Sequence, residues 1–119
     1  MKKILLIEDD EAVRDSLAAN LSNAGYAVTE ADNGKTGIAK FENGPFDAVI
    51  TDLIMPEKEG LETIQYLKKI SPECPIIAIS GASYAETYLE IAKKFGVNEV
   101  ILKPFTRNII FEKLNRILR

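Results

Sequence analysis

Ionisable side chains follow three of the short apolar segments in this chain. Glu8, Asp9 and Asp10 come directly after the first such segment, Asp52 follows the third and Lys103 follows the fifth. Ligands of open α/β folds bind outside the carboxyl ends of the strands, so we expect these groups to share one edge of a sheet. Carboxylates crowded at that edge repel one another unless a cation neutralises them. The pattern predicts a site for a hard divalent cation, with a lysine available to contact phosphoryl oxygens.

Each of these residues also has a purely structural explanation. Acids near a helix N-terminus interact favourably with the helix dipole, and Asp10 could cap a helix that begins near Glu11. A lone Lys103 could extend to solvent or pair with an acid. Ser80, which follows the fourth apolar segment and precedes Gly81, is by itself a turn signal. The occurrence of such groups at four corresponding segment ends is what favours a functional site.

Five apolar segments rich in Val, Ile and Leu are predicted as strands, at residues 3–7, 26–30, 48–51, 76–79 and 100–102. Most are continuously apolar, which is typical of strands buried on both faces. Segments of helical period separate them, as at Val13, Leu17 and Leu21. This alternation predicts one α/β domain over residues 1–119, with a doubly wound parallel sheet and right-handed crossovers.

Composition narrows the function classes. The chain has 119 residues, 46% of them hydrophobic, and a net charge of −3, which disfavours direct binding to a nucleic acid. It has one cysteine, Cys74, and no histidine, which excludes the usual zinc sites and catalytic triads. Only four apolar residues precede Glu8 after the initial lysines, and no stretch is long enough to span a membrane. We expect a cytoplasmic protein that does not bind membranes.

Nucleotide binding is also disfavoured. In dinucleotide-binding folds the first strand-to-helix turn is rich in glycine, so that backbone amides can approach a pyrophosphate. Here that turn, residues 8–11, is entirely acidic, and the chain contains no GxxxxGK[ST] motif. Such a turn suits a cation better than a phosphate.

Four short motifs carry a resemblance to a known family. They are KILLIEDD at residues 3–10, DLIMP at 52–56 followed by Gly60, ISGA at 79–82 and KPF at 103–105. In this order they resemble the receiver domains of two-component response regulators, over essentially the whole chain. The resemblance implies a flavodoxin-like (βα)5 fold with a five-stranded parallel sheet in the order 2-1-3-4-5.

The resemblance also implies a magnesium-dependent phosphoacceptor site. Asp52 would accept the phosphoryl group and become 4-aspartylphosphate. Mg²⁺ would lie against Asp9, Asp52 and the backbone carbonyl of Ile54, while Glu8 would act through water. Asp10 matches a variable position and is not implied as a ligand.

Further positions follow or depart from the family pattern. By resemblance, Ser80 and Lys103 would bind the phosphoryl oxygens, and the Lys103–Pro104 peptide bond would be cis. Val100 stands where the family usually has Tyr or Phe, so we expect Ser80 and the loop that leads to Tyr84 to carry the switch. Residues 54 and 82 are Ile and Ala, which cannot orient a water, and this favours a long-lived phosphoryl group.

The implied partners are other proteins. Because the chain has no histidine, a sensor histidine kinase or a phosphotransfer protein would donate the phosphoryl group, or acetyl phosphate in the test tube. Phosphorylation would switch a surface near the fourth helix, fifth strand and fifth helix, which contacts a downstream effector domain or protein. A phosphorylation-dependent homodimer and a place within a longer regulator both stay open.

Two other functions compete with this interpretation. A magnesium-dependent phosphohydrolase of the haloacid-dehalogenase type also forms an aspartyl phosphate, but its DxD motif would need an acid where this chain has Ile54. Without an acid to protonate the leaving group, repeated turnover is disfavoured, and we predict that the chain is not an enzyme. The remaining alternative is a flavodoxin-like scaffold without chemistry of its own.

Overall fold

Strands and helices alternate along the whole chain. The computed structural model describes residues 1–53, 59–81 and 85–118, apart from the side chains of residues 59 and 85–89. The elements are β1 Lys3–Ile7, α1 Glu11–Asn23, β2 Ala27–Ala31, α2 Gly34–Glu42, β3 Ala48–Asp52, α3 Glu59–Ile70, β4 Ile76–Ser80, α4 Ala85–Lys94, β5 Glu99–Leu102 and α5 Arg107–Ile117. The predicted five-fold alternation is confirmed.

The five strands form one parallel sheet in the order β2-β1-β3-β4-β5. Ile7 pairs with Thr51 across β1 and β3, and Asp52 pairs with Ile79 across β3 and β4. Each strand therefore points the same way, and all five carboxyl ends meet at one edge. The predicted flavodoxin-like order, taken from the family resemblance, is confirmed.

Two apolar layers cover the two faces of the sheet. On one face α1 and α5 pack through residues such as Leu17, Leu21 and Leu114. On the other face α3 contributes Ile64 and Leu67, joined by side chains of α2 and α4. Burial on both sides explains why β1, β3 and β4 read as continuously apolar segments.

Strand boundaries are the part of the sequence prediction that needs correction. β2 lies one residue later than predicted, β5 begins one residue earlier, and β3 and β4 each continue one residue beyond their apolar segments. Asp52 and Ser80 are therefore the last residues of strands and do not follow them. Backbone pairing does not require an apolar side chain, so the ladder extends into the polar residues.

A capping residue and two glycines lie at the helix ends. The Asp10 carboxylate accepts a hydrogen bond from the Val13 amide at 3.1 Å, so the predicted capping role of Asp10 is confirmed. Gly25 and Gly96 follow α1 and α4 with φ of 99° and 97°, a region that favours glycine. In the described parts of the chain, no helix has both the length and the apolar character needed to cross a membrane.

Gly60 lets α3 approach the end of β3 very closely. A Cβ atom at this position would lie 2.6 Å from both the Cα and the carbonyl oxygen of Leu53, and 2.7 Å from the carbonyl oxygen of Asp52. These are backbone atoms, which cannot rotate away as a side chain can. Gly60 thus fixes the distance between α3 and the backbone that carries Asp52.

We expect Gly60→Ala to lower the free energy of unfolding by about 2–3 kcal/mol, because the added methyl group must displace the β3 backbone. The matched control is Gly44→Ala, since nothing lies within 4 Å of a Cβ at Gly44. That substitution should change stability by less than about 1 kcal/mol. Urea denaturation of both variants tests the difference, and equal losses would contradict the close approach.

Candidate functional site

Asp52 lies buried at the end of the central strand β3, and only 3% of its surface is exposed. The backbone of β4 fixes its position, because Asp52 pairs with Ile79 and the next amide, Leu53, donates to the Ile79 carbonyl at 2.8 Å. Directly after β5, the Lys103 amide donates to the Ser80 carbonyl at 2.9 Å. The sheet itself therefore brings Asp52, Ser80 and Lys103 to neighbouring strand ends.

Lys103 joins two buried carboxylates. Its ammonium lies 2.8 Å from Asp52 Oδ2, to which it donates a hydrogen bond, and 3.0 Å from Glu8 Oε1. Its aliphatic stem crosses the backbone of Gly81, where a Cβ atom would lie 2.5 Å from Lys103 Cβ. Glycine at position 81 therefore leaves room for the lysine to reach both acids.

Glu8 is the most enclosed acid of the site, with 1% of its surface exposed. Its Oε2 accepts a hydrogen bond from the Asp10 amide at 3.2 Å. The contact from Glu8 Oε1 to Lys103 is an ion contact, since no described group makes a well-directed hydrogen bond to that oxygen. Glu8 Oε1 is therefore a buried oxygen that accepts no hydrogen bond from the described groups.

Burial and charge crowding shift two pKa values. Burial, followed by the neighbouring Asp52 carboxyl, raises the pKa of Glu8 to about 8 and outweighs the opposing effects of Lys103 and the Asp10 amide. Burial alone would lower the pKa of Lys103, but its contacts with Asp52 and Glu8 outweigh burial and raise it. The Lys103 ammonium alone thus does not balance the negative charge that the carboxyl groups at this edge can carry.

Three acids could hold a metal ion together. Glu8, Asp9 and Asp52 each offer a carboxylate oxygen, and these oxygens lie within 4.8 Å of one another. Glu8 and Asp52 are buried, whereas Asp9 is exposed at the mouth of the site. An all-oxygen donor set, an incompletely satisfied buried oxygen and excess negative charge fit a hard cation such as Mg²⁺.

Ser80 adds a hydroxyl group to the same edge. The residue is completely buried, and no described group forms a hydrogen bond with its Oγ. A buried hydroxyl without a partner is costly, and its donor is available to a ligand.

A cleft of about 930 Å³ opens onto this edge of the sheet. Asp9, Asp52, Gly81 and Lys103 line it on the side of the sheet edge. Residues of α1 and the segment after β5 line the rest, among them Phe105. The cleft is large enough for a partner's side chain or a small phosphorylated molecule to reach Asp52.

The structure brings together the residues that the sequence singled out. Glu8, Asp9, Asp52 and Lys103 form one cluster, with Ser80 on the adjacent strand end. The expected cis peptide bond between Lys103 and Pro104 is present. Three predictions fall outside the described residues: the carbonyl of Ile54, the side chain of Ala82 and the loop that contains Tyr84.

Sequence reasoning missed one residue that touches the site. Arg14 on α1 donates a hydrogen bond from Nη1 to the backbone carbonyl of Glu8 at 2.8 Å. An arginine on an amphipathic helix is usually solvent-exposed, so its type and position gave no signal. Only the packing of α1 against the end of β1 reveals the contact.

Comparisons with known proteins agree with this geometry. Residues 4–115 match the family model of the response regulator receiver domain. The chemotaxis protein CheY of Thermotoga maritima is 33% identical over 117 residues, which cover 98% of this chain and 97% of that protein.

Solved structures share the fold. A CheY-like response regulator receiver domain protein from Methanospirillum hungatei has a TM-score of 0.92 at 30% identity, with 99% of this chain and 94% of that one covered. The response regulator TrrA of Thermotoga maritima, solved in complex with Mg(2+)-BeF, has a TM-score of 0.88 at 30% identity, with 99% and 100% covered.

Some relatives are longer. This chain spans 49% and 52% of the length of two transcriptional regulatory proteins that it matches, from Picosynechococcus and Haemophilus influenzae.

Removal of the Lys103 ammonium should destabilise the metal-free protein. We expect Lys103→Met to lower the free energy of unfolding by about 2–3 kcal/mol, because it leaves Asp52 and Glu8 buried without their shared cation. Methionine keeps most of the stem that packs on Gly81. Urea denaturation in the presence of a chelator measures the loss.

The matched control is Lys113→Met. Lys113 is as exposed as Lys103, at 23% against 24%, but its partner Glu99 retains a second contact with Arg116. Its loss should cost less than about 1 kcal/mol. Similar losses for the two variants would show that the Lys103 bridge is no stronger than a surface ion pair.

Proposed function

The chain belongs to the family of response regulator receiver domains of two-component signalling systems, and on that basis we propose that Asp52 is its phosphoryl acceptor. One observation carries the proposal: the Asp52 carboxylate is buried at a strand end, with the Lys103 ammonium at 2.8 Å and two further acids beside it. We assign residues 1–119 to a single receiver domain.

The proposed reaction moves one phosphoryl group. An Asp52 oxygen attacks the phosphorus, a P–O bond forms, and the bond from phosphorus to the donor's leaving group breaks, with the electron pair departing on that group. Lys103, already beside Asp52, neutralises charge on the phosphoryl oxygens. The Ser80 hydroxyl, which has no partner among the described groups, donates a hydrogen bond to another of them.

We assign the cation to Mg²⁺, with Asp9, Asp52 and the backbone carbonyl of Ile54 as ligands and Glu8 acting through water. The convergence of the Glu8, Asp9 and Asp52 oxygens within 4.8 Å supports the acidic part of this set. When bound, Mg²⁺ would neutralise negative charge on the transferred group. The similarity to TrrA, solved in complex with Mg(2+)-BeF, supports the same assignment.

The proposed partners act before and after the transfer. A sensor histidine kinase or a phosphotransfer protein supplies the phosphoryl group, because this chain has no histidine. A downstream effector domain or protein receives the signal, and relatives of twice this length support an effector within the same polypeptide. We place these events in the cytoplasm and assign no nucleic-acid or membrane contact to this chain.

Phosphorylation is proposed to shift a pre-existing equilibrium of the surface formed by α4, β5 and α5, which could also pair two copies of the chain. A phosphoryl group can shift that equilibrium only by interacting differently with the two states. Val100 lies on β5 opposite Ala78 and packs partly buried against the apolar core. As a valine it has no aromatic ring that could change position with the switch. Movement of Ser80 toward the phosphoryl oxygens is the proposed trigger.

Incubation with acetyl phosphate and Mg²⁺ should raise the intact mass of the chain by one phosphoryl group, and Asp52→Asn should abolish the increase because an amide oxygen is a poor nucleophile. The matched control is Asp10→Asn, since asparagine caps a helix as well as aspartate does. This control should still be modified. Modification of the Asp52→Asn variant to the same extent would refute the assignment.

The same samples distinguish the competing functions. Sustained phosphate release from a generic phosphomonoester would indicate a phosphohydrolase, whereas a single modification per chain indicates a switch. No modification with Mg²⁺ present would favour the scaffold without chemistry. A chelator should suppress the mass increase if the acidic cluster holds the cation.

A further inference from the structure

Arg14 contacts the end of β1 from the neighbouring helix. Its Nη1 donates to the Glu8 carbonyl at 2.8 Å, and its Nε lies 3.7 Å from the Glu30 carboxylate on β2. The guanidinium therefore spans from α1 to two adjacent strands at the sheet edge that carries the acidic cluster.

The Glu8 carbonyl lies beyond the regular strand pairing. The β1–β2 register ends at Ile7 opposite Ala31, and the Glu8 amide makes one further bond, to the Ala31 carbonyl at 3.0 Å. After that bond the chain leaves the sheet and enters the turn to α1. Arg14 supplies the donor that the sheet no longer provides to the Glu8 carbonyl.

This hydrogen bond completes the fixation of Glu8. The Glu8 amide is held by Ala31, its carbonyl by Arg14, and its Oε2 by the Asp10 amide at 3.2 Å. The same backbone carries Asp9, whose side chain is exposed. The position of Asp9 relative to Asp52 therefore depends on how firmly the backbone of this turn is held.

We propose that Arg14 is a positioning residue for the cation site: it holds the turn at residues 8–10 so that the Glu8 and Asp9 carboxylates converge on Asp52. The inference rests on the proposed function of that cluster. Arg14 acts on the cluster through the Glu8 backbone, because its Nη1 donates to the Glu8 carbonyl.

The affinity for Mg²⁺ should depend on how accurately these carboxylates are positioned. The ion demands a nearly ideal octahedral arrangement of its oxygen ligands, so small displacements of a carboxylate are costly. Loss of a group that orients metal ligands typically weakens affinity by about 10- to 100-fold. The contact with Glu30 is long and partly exposed, and such pairs add little stability, so the role of Arg14 is local and not global.

The test compares Arg14→Met, Arg14→Lys and the control Arg116→Met, which removes an arginine that contacts Glu99 and Glu112 and lies outside the cluster. Titration calorimetry measures the Kd for Mg²⁺. Hydrogen exchange of the Asp10 amide in metal-free protein measures how firmly the turn is held, because that amide donates to Glu8 Oε2. Urea denaturation establishes that each variant is folded.

We expect Arg14→Met to raise the Kd for Mg²⁺ by about 10-fold and to speed Asp10 exchange. Arg14→Lys should give an intermediate Kd, because lysine can donate to the Glu8 carbonyl but lacks the planar fork of arginine. The rate of modification by acetyl phosphate should return to the wild-type value at saturating Mg²⁺. Arg116→Met should match the unaltered chain in the Kd for Mg²⁺, in Asp10 exchange and in the rate of modification.

An unchanged Kd together with unchanged Asp10 exchange in Arg14→Met would overturn the inference. An equal loss of affinity in Arg116→Met would overturn it too, since the effect would then be one of general charge. If the unaltered chain binds no Mg²⁺, the proposed function of the cluster fails, and Asp10 exchange alone decides whether Arg14 holds the turn.

Discussion

The rest of this structure depends on the crowding of three carboxylates at one sheet edge, where a single ammonium contacts two of them. Two unit charges of like sign 4 Å apart repel by about 4 kcal/mol at an effective dielectric of 20. Among the described acids, Lys103 forms ion pairs with Glu8 and Asp52. Burial, and after it the neighbouring Asp52 carboxyl, raises the pKa of Glu8 to about 8, and a proton on Glu8 is one way to relieve the repulsion. A divalent cation is another, and it balances the negative charge without a proton on any carboxyl group. The chemistry that we propose follows from this electrostatic requirement.

The geometry of the backbone brings these charged groups together. Parallel pairing places the ends of β1, β3 and β5 at one edge, and two apolar layers hold the sheet rigid from both faces. Two glycines then set distances that any side chain would increase: Gly60 brings α3 against the backbone of Asp52, and Gly81 makes room for the stem of Lys103. Rigid strand ends position reactive groups more accurately than loops do, which suits a site where displacements of less than an ångström matter.

Much of this arrangement was predictable from the sequence. Continuous apolar segments revealed the strands, and ionisable residues at their ends revealed the edge at which a site forms; the strand order came with the family resemblance. Individual contacts and distances that depend on side-chain packing were not predictable. The contact of Arg14 with the Glu8 carbonyl is one example. The shared position of Lys103 between two acids, and the pKa shift that burial gives Glu8, depend on distances that no spacing along the chain encodes. Strand ends were also misplaced, because backbone pairing continues into polar residues such as Ser80.

Diffraction from crystals soaked in Mn²⁺ tests the central claim most directly, because this ion replaces Mg²⁺ at oxygen sites and gives an anomalous signal. The account predicts one strong anomalous peak at the carboxyl edge of the sheet, within coordination distance of carboxylate oxygens of Asp9 and Asp52, with Lys103 still beside Asp52. A peak at a different part of the surface, or an edge without any peak at saturating Mn²⁺, would contradict the claim that these acids form a cation site.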